Sequence, residues 1–183
     1  MSILPHNYLP EQHLNTSQLS INHNYLQQQF SDPEAIFDEI RELVIRGDFT
    51  LGQAVDDLEE EFKIITQTRH AIGVGSGTDA IFLSLKALGI DKGDEVITVP
   101  YTFYASVGPI VTAGARPVFV DVGDDYNMDP EKIEAAITPR TKAILPVHWS
   151  GLICDMERIS GIAKKHGLSI VEDACHAINA ERA

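Results

Sequence analysis

Apolar positions in this chain follow two periods in turn. Ile36, Ile40, Leu43 and Val44 recur at the spacing of one helix face. Asp32 ahead of them is a good N-cap, Pro33 suits the first helical position, and Gly47 lies just past the end. A second amphipathic helix is predicted from about Ala54 to Thr66, with Val55, Leu58, Phe62 and Ile65 on one face. Its acid cluster, Asp56–Glu61, is expected to face mostly solvent. From residue 70 short apolar runs alternate with helical stretches. Strands are predicted at His70–Val74, Glu95–Val99, Pro117–Val122, Ala143–Val147 and Ser169–Glu172. Between them the pattern predicts helices at Thr78–Leu88, closed by Gly89, and at Phe103–Ala113, Pro130–Ile137 and Asp155–His166. Pro109 should kink the second of these or restrict its start. The strands are rich in Val and Ile without polar alternation, so both of their faces should be covered. Short buried strands separated by helices imply an α/β fold: a mostly parallel sheet between two helical layers. Residues 1–30 are rich in Asn, Gln, His and Pro, show no sustained period, and read as an N-terminal arm or tail. No linker interrupts residues 31–183.

Composition narrows the function classes. The 183 residues carry 14 Lys and Arg against 27 Asp and Glu, a formal charge of −13. Binding to a phosphate backbone needs clustered cations, so a nucleic-acid partner is not expected. No uncharged apolar run approaches the ~18 residues of a membrane span, and no basic segment precedes an apolar one at the N-terminus. Cys154 and Cys175 are too few for a disulfide framework, which makes the cytoplasm the expected compartment.

In a parallel sheet of this kind ligands sit at the C-terminal ends of the strands. Three segments there stand out, with a fourth beside them. Gly73–Ala80 is a glycine-rich turn leading into a helix, where free amides form an anion site and the Thr78 hydroxyl can add a donor. Its Gly-x-Gly-x-Gly spacing lacks the later glycine of a dinucleotide fingerprint and the Lys-Ser/Thr of a P-loop. Glu172-Asp173-Ala174-Cys175-His176 follows a hydrophobic strand. An Asp there can pair with a cationic ring nitrogen, and a His three residues on can reach the other side of the same ring. Metal binding is the rival, without a second cluster at ligand spacing to support it, and Cys175 is expected to be buried packing. Pro100-Tyr101-Thr102-Phe103-Tyr104 places aromatic faces straight after a strand, as core or as a stacking surface; His148-Trp149-Ser150-Gly151 ends another, again as packing or as site. Phosphate at Thr78, stacking at Phe103 and a ring nitrogen at Asp173 together outline pyridoxal phosphate (PLP).

The motifs GVGSGTDA (73–80), GDEVITVPYTFYAS (93–106), GARPVFVDV (114–122), TPRTKAILPVH (138–148) and IVEDACHA (170–177) resemble the DegT/DnrJ/StrS family of sugar aminotransferases, with GDFTLG (47–52) fitting the family's opening segment. The resemblance implies the three-layer α/β/α large domain of the aspartate aminotransferase type, here an incomplete one over residues 31–183. It further implies that Gly77 and the amides of Thr78 and Asp79 hold the cofactor phosphate, that Phe103 stacks on the ring, that Asp173 pairs with the ring nitrogen and that His176 lies near the ring hydroxyl. The activity implied is a ping-pong transamination in which glutamate is the amino donor and a nucleotide-linked keto-sugar the acceptor. The product implied is an amino-sugar precursor, and the oligomeric state implied is a homodimer.

The same resemblance puts the Schiff-base lysine and a small C-terminal domain beyond Ala183. Lys63, Lys86, Lys92, Lys132, Lys142, Lys164 and Lys165 fall on predicted helices or at loop and strand starts, away from the cofactor end. No catalytic residue is therefore expected within these 183 residues, and transamination by them alone should be severely impaired. The alternative is a catalytically silent homologue that binds PLP non-covalently or pairs with a full-length subunit.

Overall fold

The computed structural model describes residues 26–182, which fall into two compact units, one ending at Gln53 and one beginning at Ala54. Most of the arm expected over residues 1–30 lies outside the described residues. In the first unit, α1 (Leu26–Gln29) is a single turn, and α2 (Glu34–Arg46) stops where predicted, at Gly47 with φ 71°. Its start is one residue later than the sequence suggests. The first intrahelical bond runs from the Phe37 amide to the Pro33 carbonyl (3.0 Å), so Pro33, and not Asp32, occupies the cap position.

The helix α3 (Gln53–Thr66) has its first residue in the first unit and the rest in the second, which continues as α4 (Gly77–Ala87), β1 (Glu95–Thr98), α5 (Tyr104–Thr112), β2 (Arg116–Phe119), α6 (Pro130–Ala136), β3 (Thr141–Ile144), α7 (Met156–His166) and β4 (Ser169–Ile170). The strands form a parallel sheet in the order β2-β1-β3-β4. All four residues of β1 are buried, as a strand covered on both faces requires. α4 packs on α5, and α6 on α7. Right-handed crossovers that leave β1 for β2 and return to β3 and β4 place those two pairs on opposite faces of the sheet. The core between the layers is aliphatic: Leu85, Val96, Ile97, Ile110, Ile144 and Ile159 are fully buried. No helix among the described residues is long and apolar enough to cross a membrane.

One predicted strand is absent. His70–Val74 joins no ladder: the Gly73 amide donates to the Glu59 side chain (2.6 Å), and Ile72 is 80% exposed. The apolar pattern suits a buried strand, but a strand also needs a neighbour to pair with, and among the described residues none lies beside it. Elsewhere the regular ladders end a few residues early. Single bonds carry the pairing further along the chain, from the Leu145 amide to the Ile97 carbonyl (2.7 Å) and from the His148 amide to the Asp173 carbonyl (3.0 Å).

At the N-terminal edge of the sheet, the buried Glu95 carboxylate ties three segments together. It accepts from Arg116 (2.7 Å), from Arg140 (2.9 and 2.7 Å) and from the Thr138 hydroxyl (2.6 Å). The Thr138 hydroxyl and the two guanidinium groups hold its carboxyl at about 2, well below the usual 4.5. A carboxylate depressed in the folded state contributes stability above its unfolded value, and that stability is lost as pH falls through the folded one. The urea midpoint should therefore fall between pH 4.5 and about 2 more steeply for the native protein than for Glu95→Gln. Parallel pH profiles for the two proteins would remove Glu95 from acid stability.

Candidate cofactor site

The strand order reverses direction between β1 and β3, since the chain leaves β1 toward β2 and then crosses back. Crevices at such switch points are where open α/β sheets bind ligands. A cavity of about 260 Å³ lies there, built from four segments: the start of α4, the loop after β1 with the first turn of α5, the chain beyond β3, and the chain beyond β4. Gly77, Thr78, Phe103, Asp173 and His176 all line it, so five of the six residues singled out from sequence meet in one place.

At one end stands the N-terminus of α4. Ser76 caps the helix by accepting from the Asp79 amide (3.1 Å), and its hydroxyl donates to the Asp79 carboxylate (3.0 Å). Asp79 therefore does not line the cavity, and the amide expected to face an anion is already bonded. The amides of Gly77 and Thr78 donate to no group among the described residues, which leaves them available beside the Thr78 hydroxyl. A Cβ on Gly77 would meet Cys175 Sγ at 3.1 Å. That close approach is what the glycine permits, and it brings the helix start against the Asp173 loop.

At the floor, Asp173 is 8% exposed and takes two hydrogen bonds, from the Ser106 hydroxyl to Oδ2 (2.6 Å) and from the Cys175 amide to Oδ1 (3.2 Å). Ser106 spends its only proton on Asp173, so Thr102 donates to it in turn (2.8 Å). The result is a directed relay, Thr102 to Ser106 to Asp173, which fixes the carboxylate's rotamer. Ser106→Ala should cost about 1–3 kcal/mol by leaving a buried carboxylate short of a donor. Ser106→Thr, which keeps the hydroxyl, should recover most of it in a urea titration. Equal midpoints for the alanine and threonine variants would count against the relay.

Cys175 departs from expectation: it is exposed on the cavity wall and not packed inside. The adjoining Asp173 carboxylate and partial burial push its thiol up to about 11, so it is neutral at pH 7 and no thiolate ligand. His148, also in the cavity lining, is buried. Its Nδ1 accepts the Cys154 amide (3.2 Å), which leaves the ring proton on Nε2, donated to Glu172 (2.9 Å). Phe103 lines the cavity at 63% exposure, edge-on to Tyr104. None of the seven lysines lines it.

A helix start with two unengaged amides, a carboxylate held on both oxygens and an exposed aromatic ring thus meet at the switch point of an α/β sheet, a set of groups with the chemistry to hold an anionic, ring-bearing ligand. The chain belongs to the DegT/DnrJ/EryC1/StrS aminotransferase family, whose model matches residues 31–183. It is 44% identical over 169 residues to a pleiotropic regulatory protein of Geobacillus stearothermophilus, covering 92% of this chain and 44% of that one. It is 42% identical over 160 residues to the dTDP-3-amino-3,4,6-trideoxy-alpha-D-glucose transaminase of Micromonospora megalomicea subsp. nigra, covering 87% and 43%. Among solved structures, NtdA of Bacillus subtilis with bound cofactor PMP superposes with a TM-score of 0.78 at 40% identity, covering 80% of this chain and 34% of that one. The chain thus spans less than half the length of these relatives.

Proposed function

We propose that this chain supplies the cofactor-holding part of a PLP-dependent aminotransferase that acts on a nucleotide-linked keto-sugar, with glutamate as amino donor, in the cytoplasm and as a homodimer. The observation that carries the reading is the pairing of Asp173, held on both oxygens at the cavity floor, with the unengaged amides at the start of α4. These are the two ends a phosphorylated, protonatable ring requires. A cavity of about 260 Å³ is small among ligand sites, which run to roughly 300–1,000 Å³, and suits one ring with its phosphate. The names of the Micromonospora transaminase and of the PMP-bound Bacillus structure agree with this reading.

The family motifs and the chemistry of the groups present give the roles. Gly77 and Thr78 would bind the phosphate through their amides and the Thr78 hydroxyl. Phe103 would cover a ring face, and the Asp173 carboxylate would accept from the ring nitrogen and keep it protonated. His176 would serve the ring hydroxyl, and Asp79, bonded to the Ser76 cap, would help orient those amides. PLP, when bound, supplies an electron sink for the amino group in transit. The amine that bonds the cofactor comes from outside residues 1–183, from further chain or a partner subunit, because no lysine lines the cavity. That same observation favours a second reading for these residues by themselves: non-covalent cofactor binding without turnover.

The test is a PLP titration followed by absorbance, then borohydride and intact mass. Saturable binding that is lost in Asp173→Ala, with no mass added by borohydride, is expected. A covalent adduct on one of the seven lysines would overturn the non-covalent reading, and absence of saturable binding would overturn the cofactor assignment.

A further inference from the structure

A row of aromatic rings leaves the cavity on the side of His176. Trp149 stands 5.4 Å from His176 between ring centroids, Tyr101 stands 4.9 Å from Trp149 and nearly edge-on, and Tyr126 follows at 5.5 Å from Tyr101. Aromatics that only fill a core are buried, yet Tyr101 is 46% and Tyr126 58% exposed. The row therefore presents ring surface to solvent while its inner end reaches the cavity wall.

The backbone beneath it is held in costly conformations. Tyr126 and Ser150, the latter next to Trp149, both take left-handed φ values, 64° and 53°, that residues other than glycine rarely adopt. Buried Asn127 holds the two loops together. Its Oδ1 accepts the Trp149 amide (3.0 Å), and its Nδ2 donates to the Leu152 carbonyl (3.1 Å) across the same turn. Its own amide is fixed by the Asp125 side chain (3.1 Å). Strain kept in place by a buried polar clamp is a feature of sites that position a ligand.

From this arrangement we infer that Trp149, Tyr101 and Tyr126 form the wall against which the hexose ring of the acceptor lies. A pyranose offers an apolar C–H face to an aromatic ring and hydroxyls to the phenol and indole tips around it, which matches this half-exposed mixture. The cavity lining holds no Lys or Arg, and its anion site at the Gly77 and Thr78 amides is taken by the cofactor phosphate in this reading, so no charge in it favours a diphosphate over the sugar itself. Trp149, beside His176, takes the end of the sugar that reacts, and Tyr126 takes the outer end. The inference rests on the aminotransferase reading for its choice of sugar.

Trp149 is the only tryptophan of the chain, so its emission reports this row alone. The experiment titrates dTDP-glucose, and separately dTDP, into the full chain saturated with pyridoxamine 5′-phosphate, whose own absorbance verifies occupancy. A saturable change in Trp149 emission with dTDP-glucose, and none with dTDP at the same concentration, is expected. Tyr126→Ala should raise the apparent Kd for dTDP-glucose about tenfold. Tyr126→Phe should stay near the native value, and circular dichroism should show both variants folded. Equal responses to dTDP and dTDP-glucose would put the base on the row and overturn the inference. A silent Trp149 with the cofactor bound would overturn it too while leaving the cofactor assignment intact; failure of the cofactor to bind at all would strike that assignment instead.

Discussion

Replacing Asp173 with Asn should weaken PLP binding about 10–100-fold and leave the fold in place. The loss is that of a charge-assisted hydrogen bond, worth about 1.5–3 kcal/mol, to the protonated ring nitrogen. The fold should survive because the relay is reversible. In Asp173→Asn the new side chain can turn its carbonyl oxygen to the Cys175 amide and its NH2 group to Ser106. Ser106 then accepts from it and donates to Thr102 across the existing 2.8 Å contact. Affinity measured by fluorescence titration, beside a urea midpoint, separates the two effects. A variant that binds as tightly as the native chain would mean that Asp173 does not face the ring nitrogen. A variant that unfolds would mean that the carboxylate is chiefly a structural anchor.

Leu85→Ala should produce the largest loss of stability, about 2–5 kcal/mol. Leu85 is fully buried on α4, one turn after Ile81, which is itself 5% exposed and lines the cavity. The cavity opened by the truncation cannot be refilled by backbone collapse, because the helix is held at its start by the Ser76 cap and by the contact between Gly77 and Cys175. Loosening this helix moves the Gly77 and Thr78 amides, so cofactor affinity should fall together with stability. Leu85→Met, which conserves volume, should cost less than about 1.5 kcal/mol and keep affinity. Chemical denaturation of the two variants checks this, and an alanine variant as stable as the methionine one would show that Leu85 does not hold the layer together.

The helical half of the fold was legible because its punctuation is local. Gly47 closes α2 with a left-handed φ of 71°, Gly89 follows α4 at 75°, and Pro130 sits in the first turn of α6 behind the Asp129 cap. Those signals need nothing but the residues beside them. Strand limits were less legible, since pairing is a property of two segments. His70–Val74 has an apolar strand's composition and no described neighbour, whereas the bridge between Val147 and Asp173 extends pairing past the regular ladders. In the candidate site, glycines, a strand-end Asp and aromatics marked Gly77, Thr78, Phe103, Asp173 and His176. The residues that hold Asp173 in place were missed. Ser106 is one of three hydroxyl residues in the Tyr104–Thr112 helix, with nothing local to set it apart, and it meets a carboxylate 67 residues later only because the first turn of α5 lies against the chain beyond β4. The His148–Glu172 pair is hidden for the same reason, 24 residues apart in sequence. The engagement of Asp79 was not legible either: the Ser76 cap that makes the helix start so regular also bonds its amide.

The measurement that bears most directly on the cofactor assignment is a crystal structure of this chain with pyridoxamine 5′-phosphate. The expected result is a phosphate on the Gly77 and Thr78 amides, with the ring nitrogen within hydrogen-bond distance of Asp173. A ring bound elsewhere, or density for the phosphate away from the start of α4, would contradict it.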